Sequence, residues 1–519
     1  VRGRASGFFR AERIDGVWWL LTPEGNAFFS KGVNHVSFVA DVAPSLGYSP
    51  YERAVTAKYG TAAAWAEASV RRLREWGLNT VGAWSSREVC EQGMAYTAIV
   101  GVAENAGANW QRGEVADVFS EGFAEAARAT ARRVCGPRAG DRFLLGYFTD
   151  NELRWGPDWR SKRSLLEEFL ARGPEEAGKR AAVRVLRAGH GTVETFNEAW
   201  GTRLASLGDL DRVTELPMDL PAAASARGAF LREYARSYFR VCREAILAAD
   251  PNHLVLGCRF AGSAPAEVVE VMGEFVDVVS YNNYDRDPPV SALAALHSAT
   301  GKPVVLTEFS FKAADSGLPN TRGAGRPVAT QRDRAELFER YVTGLAVQPF
   351  VVGYHWFEHA DEPAEGRFDG ENSNYGLVNI RDEPWEVLVS RFREVNRRLE
   401  SSHRGPRRQV EPGPELLEWL QRSFVHGREY FVLRGGRARL IVQADRADMA
   451  PGFLHLVFDA EDNRQTSRKE RAFNFEAGRG FLLSALEVEL GGHAFTAVAH
   501  QTQTRWAACE GIPAAEAAW

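Results

Sequence analysis

Two short apolar segments of the chain each end in a glutamate. Gly146-Tyr-Phe-Thr-Asp-Asn-Glu152 carries one carboxylate and Pro303-Val-Val-Leu-Thr-Glu308-Phe309 carries the other. A carboxylate at the end of an apolar strand is costly to bury unless it is used or paired. Two carboxylates across a cleft can cleave a glycosidic bond: one protonates the leaving oxygen and the other attacks the anomeric carbon or activates water. Glu152 and Glu308 are therefore the candidate catalytic residues.

Eight apolar segments rich in Val, Phe and Tyr alternate along the chain with segments of helical spacing. The predicted strands are 28–36, 79–84, 95–102, 143–150, 254–260, 276–281, 303–309 and 350–357. The predicted helices are 62–76, 86–91, 121–135, 230–249, 264–275, 290–298, 331–347 and 384–399. Eight such units over about 375 residues are typical of an α/β fold of the (β/α)₈ TIM-barrel type. Reactive groups of such barrels lie at the C-terminal ends of the strands, where both glutamates fall.

The remaining segments predict the domain organisation. Two apolar runs around the turn Pro23-Glu-Gly-Asn26 predict an N-terminal β-hairpin, and residues 1–400 form the barrel, with a large insertion at about 153–228 over its active face. Residues 401–415 are polar and rich in Pro and Gly, which predicts a linker. Residues 416–519 contain six strand-like runs and predict an all-β, sandwich-like accessory domain.

Composition excludes several classes of protein. The 519 residues carry a formal charge of −5 without a dense basic block, so nucleic acid is not an expected partner. No apolar run is long enough to span a membrane, and the first residues lack an apolar signal core. We expect a soluble protein. The sequence leaves the compartment open, either cytoplasmic or periplasmic or secreted after leader removal, and it also leaves homo-oligomerisation open.

No metal or other cofactor is expected. The five cysteines are far apart and form no CxxC motif, which argues against a disulfide framework or a thiolate metal site. The run His355-Trp-Phe-Glu358-His359 matches the H-x-x-E-H zinc pattern, but that pattern needs a helix to bring both imidazoles to one face. Here the residues continue a predicted strand, which would hold the two imidazoles more than about 12 Å apart.

The placement of the two glutamates resembles a known group of enzymes. Asn151-Glu152 after the fourth strand, with Glu308 ending the seventh, resembles the catalytic pattern of clan A of the glycoside hydrolases. The resemblance covers about residues 8 to 400. It implies a retaining enzyme in which Glu152 is the acid/base and Glu308 is the nucleophile.

Other segments narrow this resemblance. The segment 190–202 is similar to a segment of family 42 β-galactosidases and family 50 β-agarases. The stretch 366–377, which follows 354–361, and the opening hairpin leading into Lys31-Gly-Val-Asn-His35 resemble agarase-like proteins. The chain is thus most similar to family 50, which implies a β-galactoside or an agar-type oligosaccharide or polysaccharide as the substrate. Exo action is favoured because the long insertion and the loop after the eighth strand could close one end of the cleft.

Further residues at strand ends are predicted to bind substrate. Tyr281 is expected to donate a hydrogen bond to Glu308, and Trp356 to form the floor under the reacting sugar. The other candidate substrate-binding residues are Asn34, His35, Trp84, Asn151, Arg259, Asn282, Glu358 and Asn374.

Several alternatives stay open. Within the same clan, the substrate could be a β-glucoside or another β-glycan. A different class would be a non-catalytic carbohydrate-binding barrel in which both carboxylates are structural, and a third would be a metal-dependent barrel hydrolase.

Overall fold

Nine parallel strands form one curled sheet in the first part of the chain. The computed structural model describes residues 1–262 and 264–404, together with eight strands between residues 424 and 507. The strands of the curled sheet are β4 (Ser30–Val33), β5 (Thr80–Val81), β6 (Ala95–Ile99), β7 (Leu144–Phe148), β8 (Leu254–Val255), β9 (Phe260–Ala261), β10 (Val279–Asn282), β11 (Val304–Phe309) and β12 (Val351–Trp356). Their order is β8-β7-β6-β5-β4-β12-β11-β10-β9.

The two edge strands of this sheet, β8 and β9, are consecutive along the chain. The sequence predicts one strand at 254–260, but Gly257 and Arg259 have φ angles of 79° and 51° and interrupt it. β8 pairs with β7, and β9 pairs with β10. The backbone N–H of Asp277, just before β10, also donates to the carbonyl of Val255 at 2.9 Å. The fold is therefore mixed α/β with a curled parallel sheet, which is consistent with the TIM-like barrel that the sequence predicts.

Helices follow most strands and cover the outside of the sheet. They are α1 (Pro50–Tyr59), α2 (Ala62–Glu75), α3 (Arg87–Cys90), α4 (Val102–Asn105), α5 (Glu121–Val134), α6 (Leu165–Leu170), α7 (Ala177–Ala188), α8 (Val193–Trp200), α9 (Pro221–Ala249), α10 (Ala266–Met272), α11 (Val290–Thr300), α12 (Gln331–Ala346) and α13 (Glu386–Arg404). Outside the insertion at about 153–228, the sequence analysis missed α1 and α4, and it began α9 nine residues late. None of the helices in the described residues is long and apolar enough to cross a membrane.

The N-terminal hairpin packs against the inside of the curled sheet. It consists of β1 (Arg10–Ile14), β2 (Val17–Leu21) and β3 (Ala27–Phe28), paired antiparallel. Phe9 and Leu20 belong to one buried cluster with strand residues such as Leu145, Val305 and Val352. Because side chains alternate along a strand, these residues share the inner face of the sheet. The hairpin thus shields apolar residues of the sheet interior from water.

The chain divides into two units, Val1–Arg404 and Gly405–Trp519. Helix α13 runs to Arg404, so it includes the first four residues of the predicted linker; residues 405–415 lie outside the described residues. In the second unit two antiparallel sheets contain β13 (Phe424–Val425), β14 (Arg428–Gly435), β15 (Ala438–Asp445), β16 (Phe453–Ala460), β17 (Arg471–Asn474), β18 (Leu486–Leu490), β19 (His493–Ala499) and β20 (Trp506–Ala507). The sandwich-like accessory domain at 416–519 stays a prediction.

One buried histidine makes the stability of the first unit sensitive to acid. His359 is fully buried between the rings of Tyr51 and Trp65, and neither of its ring nitrogens has a hydrogen-bond partner. Burial lowers the pKa of His359 from 6.5 to about 3. Below pH 6.5 His359 binds a proton in the unfolded chain but not in the folded chain. The free energy of unfolding therefore falls between pH 6.5 and about 3.

Replacing His359 with phenylalanine is expected to remove this loss. Relative to its value at pH 8, the free energy of unfolding at pH 5 should fall by about 2 kcal/mol less in the variant than in the wild type. Urea unfolding at pH 8, 6.5 and 5 measures this difference. The pH 8 measurement is the internal control, because it reports the change in packing alone. Parallel pH curves for the two proteins would contradict the prediction.

Candidate active site

A cavity of about 1040 Å³ at the C-terminal ends of the strands contains both candidate carboxylates. Glu308 is in β11 and is 7% exposed, whereas Glu152 follows β7 by four residues and is partly exposed. Asn151, Trp84 and His35 also line this cavity. The structure therefore brings together residues from four strand ends, as the barrel prediction requires.

The side chain of Asn282 lies between the two carboxylates. Its Nδ2 donates to Glu152 Oε1 at 3.0 Å and lies 3.2 Å from Glu308 Oε2. These two oxygens therefore lie within about 6 Å of each other, since they cannot be farther apart than the two distances combined. Asn282, which the sequence predicts to bind substrate, therefore lies between the two carboxylates.

Glu308 receives hydrogen bonds on both oxygens. Tyr284 donates to Oε1 at 2.8 Å, and the buried guanidinium of Arg259 lies 2.9 Å from Oε2. These two contacts fix the orientation of the Glu308 carboxylate. The prediction that Tyr281 donates to Glu308 is wrong: its hydroxyl bonds the carbonyl of Gly262. Tyr284, three residues later in the loop after β10, occupies the predicted position instead.

Glu152 has a raised pKa. Desolvation by the surrounding walls, and then the negative charge of Glu308, raise the pKa of Glu152 to about 7. The neighbouring Asn151 does not face the cavity freely, because its Oδ1 accepts from Arg259 at 2.8 Å. Arg259 therefore connects the segment before Glu152 to Glu308. A carboxyl that can hold a proton near neutral pH therefore lies opposite the Glu308 carboxylate, which Tyr284 and Arg259 orient.

Four residues of this site have a backbone conformation that L-amino acids rarely adopt. The φ angles of His35, Trp84, Glu152 and Arg259 are 53°, 59°, 47° and 51°. Such a conformation costs of the order of 1 kcal/mol or more per residue and persists only where the surroundings impose it. All four lie two to four residues after the end of β4, β5, β7 or β8, so the chain turns sharply just beyond each strand.

A charged wall completes the cavity on the side of β4 and β12. His35 Nδ1 donates to Glu358 Oε2 at 2.5 Å and lies 3.8 Å from Asp41 Oδ2. Burial by itself lowers the pKa of His35, but the charges of Asp41 and Glu358 outweigh it and raise this pKa to about 9. Arg367 adds a second positive charge beside this group and pairs with Glu362, Asp369 and Glu371.

His35, Asp41 and Glu358 also lie close enough together to be considered as ligands of a metal ion. Among the described residues, His35, Asp41 and Glu358 each offer a ligand atom within 4.8 Å of the others. The protonated imidazole and the nearby Arg367 oppose a further cation here. The arrangement suits hydrogen bonding to a polar ligand better than metal coordination. The H-x-x-E-H run is not assembled into a site, because His355 bonds Ser30 at 2.9 Å while His359 packs against Trp65.

Besides Tyr281, Arg259 and Glu358, three more predicted binding residues do not line the cavity. Trp356 is fully buried, and its indole N–H donates to the carbonyl of Tyr375, so the prediction of a floor under the sugar is wrong. Asn34 is buried and bonds the carbonyls of Thr307 and Trp356. Asn374 is buried and donates to Asp361. These side chains hold strand ends and loops in place rather than face a ligand.

Trp84 does face the cavity, with 41% of its surface exposed and its ring 4.2 Å from the guanidinium carbon of Arg259. Sequence reasoning missed other cavity residues, namely Asp41, Trp159, Tyr284, Arg367 and Phe368. All of them lie in loops beyond strand ends. A second aromatic residue in Tyr281-Asn-Asn-Tyr284 was the one local signal that pointed to any of them.

Comparison with curated proteins relates the chain to two β-agarases. It is 30% identical over 466 residues to Beta-agarase A of Vibrio sp. (strain JT0107), covering 76% of this chain and 46% of that protein. It is 27% identical over 463 residues to Beta-agarase B of the same strain, covering 76% and 48%. Its relatives are β-agarases. The chain spans about half the length of these curated relatives, and no protein-family model matches it.

Solved structures agree with these β-agarase relatives. An exo-beta-agarase superposes with a TM-score of 0.70 at 26% identity, covering 78% of this chain and 67% of that chain. The agarase AgWH50C superposes with a TM-score of 0.68 at 28% identity, covering 78% and 66%. The predicted similarity to family 50 agarases is confirmed. The similarity of 190–202 to family 42 and the placement in clan A stay predictions.

Proposed function

We propose that this chain is a retaining glycoside hydrolase of clan A that cleaves β-galactosidic bonds. The observation that carries the proposal is the position of Asn282, which bonds Glu152 and lies beside Glu308 and thereby limits the separation of their oxygens to about 6 Å. Retaining enzymes have carboxyl groups about 5 to 5.5 Å apart, whereas inverting enzymes need about 6.5 to 9.5 Å to admit a water molecule. The β-agarase relatives support this reaction class.

The carboxyl groups of Glu152 and Glu308 have different roles in this reaction. Protonated Glu152 gives its proton to the glycosidic oxygen while ionised Glu308 forms a bond to the anomeric carbon, and the leaving sugar departs as an alcohol. The resulting ester removes the negative charge of Glu308. The pKa of Glu152 therefore falls, and Glu152 can accept a proton from the water that attacks the anomeric carbon and releases Glu308.

Agar-type oligosaccharides and exo action are the proposed substrate and mode. The solved neighbour described as an exo-beta-agarase supports both. Loops that border the cavity also support exo action: the insertion contributes Trp159 and the loop after β12 contributes Phe368. His35, which lines the cavity with its ring protonated, can donate a hydrogen bond to a sugar hydroxyl. A closed (β/α)₈ barrel with an accessory domain at 416–519 is part of the same proposal.

The test is the anomeric configuration of the first product. Hydrolysis of an aryl β-galactoside in an NMR tube should release β-galactose first, followed by slow mutarotation to the equilibrium mixture of α and β anomers. Early α-galactose would overturn the retaining mechanism. A panel of aryl β-glucosides and end-labelled agaro-oligosaccharides tests the sugar and the exo action, with a preferred glucoside counting against the galactoside. Binding without turnover would favour a carbohydrate-binding barrel, and loss of turnover in a chelator would favour a metal-dependent hydrolase.

Tyr284 should matter for the chemical step and Tyr281 should not. Replacing Tyr284 with phenylalanine removes one hydrogen bond to ionised Glu308. Since a hydrogen bond to a charged group contributes about 1.5 to 3 kcal/mol, kcat for an aryl β-galactoside should fall by about 10- to 100-fold. Tyr281→Phe is the matched control, because its hydroxyl bonds a carbonyl instead of Glu308. Equal losses in both variants would contradict the assignment.

A further inference from the structure

Trp159 has the most exposed indole ring among the described residues. It is 64% exposed and lines the same cavity as Glu152 and Glu308. Its exposed ring is therefore accessible to a ligand that enters the cavity. The flat face of an indole is suited to packing against the C–H face of a sugar ring. The mechanism described above does not use this residue.

The ring of Trp159 is held in place by its neighbour. The guanidinium carbon of Arg160 lies 4.3 Å from the centroid of the Trp159 ring. Arg160 is itself immobilised, because it donates to Asp158 Oδ2 from Nε and Nη2 and to the carbonyl of Trp110 from Nη1. A ring supported in this way loses little freedom when a ligand packs on it, which favours binding.

The same arginine links Trp159 to the candidate acid/base. Nη1 of Arg160 donates to the backbone carbonyl of Glu152 at 3.0 Å. Trp159 therefore belongs to the segment that follows β7 and carries Glu152. Phe368, which is 62% exposed, lies in the loop after β12 instead. Three strands, β6, β5 and β4, separate β7 from β12, so the two aromatic residues border opposite sides of the curled sheet.

We infer that Trp159 is a binding platform for the sugar on the leaving-group side of the bond that is cleaved. Glu152 must lie beside the glycosidic oxygen, and this oxygen belongs to the leaving sugar once the bond breaks. An aromatic face tied to Glu152 therefore meets the leaving sugar rather than the sugar that becomes bound to Glu308. The inference rests on the proposed function.

A sugar bound at this platform can also act as an acceptor. In the second step, the hydroxyl group of an acceptor sugar takes the place of water. Glu152 removes the proton of this hydroxyl group, and the hydroxyl oxygen forms a bond to the anomeric carbon. The ester bond to Glu308 breaks, and Glu308 regains its electron pair as a carboxylate. The products are a longer oligosaccharide and protonated Glu152. The ratio of this transfer to hydrolysis thus reports occupancy of the leaving-group side.

The experiment uses β-galactosyl fluoride as donor, because fluoride leaves without placing a sugar on the leaving-group side. With an agaro-oligosaccharide as acceptor, the ratio of transfer to hydrolysis is measured for the full-length wild type, Trp159→Ala, Trp159→Phe and Phe368→Ala. We expect Trp159→Ala to lower the ratio about tenfold, with partial recovery in Trp159→Phe. Phe368→Ala is the matched control, an equally exposed aromatic residue of the same cavity on the opposite side.

Three outcomes separate the inference from the proposed function. An unchanged ratio in Trp159→Ala, or an equal loss in Phe368→Ala, would overturn the platform assignment while leaving the reaction class intact. A wild type that neither hydrolyses nor transfers from the fluoride would instead refute the proposed function. A loss in kcat/KM for agaro-oligosaccharide hydrolysis that exceeds the loss for the fluoride would support the platform independently.

Discussion

Replacing Glu308 with alanine is expected to lower turnover of an activated aryl β-galactoside by about 10⁵-fold, or about 7 kcal/mol in activation free energy. The reason is that Glu308 supplies the bond to the anomeric carbon, and the side chains of Arg259 and Tyr284 that orient it cannot replace that bond. Steady-state kinetics with the aryl galactoside measures the loss.

Added azide provides the decisive readout for Glu308. The anion fits the space left by the side chain and attacks the face that Glu308 used, so the variant should form an α-galactosyl azide. Glu88→Ala, in α3 outside the cavity, is the control for the loss of a carboxylate elsewhere. Turnover that survives in Glu308→Ala, or a β-azide as product, would refute the assignment of Glu308 as nucleophile.

Replacing Glu152 with glutamine should affect substrates according to their leaving group. A natural agaro-oligosaccharide needs the proton, so its kcat/KM should fall by about 10³- to 10⁴-fold. A dinitrophenyl galactoside leaves without protonation, so its kcat/KM should fall by less than about tenfold. Slow hydrolysis of the galactosyl-enzyme should then produce a burst of dinitrophenol. Equal losses for both substrates would contradict the role of Glu152 as acid/base.

The pH profile gives a second readout for Glu152. Its pKa of about 7 means that the protonated, active form is lost as pH rises through 7. For the oligosaccharide, kcat/KM of the wild type should therefore decline above pH 7, and Glu152→Gln should lack this decline. A wild-type profile that is flat from pH 6 to 9 would argue against Glu152 as the acid.

The sequence predicted several substrate-binding residues, and the structure places some of them at the cavity. It named His35, Trp84 and Asn282, which line the cavity with the two glutamates. It failed for Trp356 because the side chain of a strand residue points either into the sheet interior or outward against the helices, and one sequence does not reveal which. Trp356 packs against Phe338 and Phe392 of α12 and α13, on the outer side.

Loop residues were the least predictable part of the site. Tyr284, Trp159 and Arg367 lie beyond strand ends, where no periodic pattern constrains the chain. The interaction of Arg259 with Glu308 was also missed. It joins residues 49 positions apart through a left-handed turn at Arg259, a conformation that sequence composition does not predict for arginine.

The sequence by itself determined the alternation of strands and helices and the position of Glu152 and Glu308 at strand ends. Both follow from local patterns, namely apolar periodicity and a charge that interrupts it. Only the tertiary structure decided which groups surround each glutamate. Their separation, the raised pKa of Glu152 and the donors to Glu308 depend on how distant strand ends curl around one cavity, and that closure involves contacts between residues far apart along the chain.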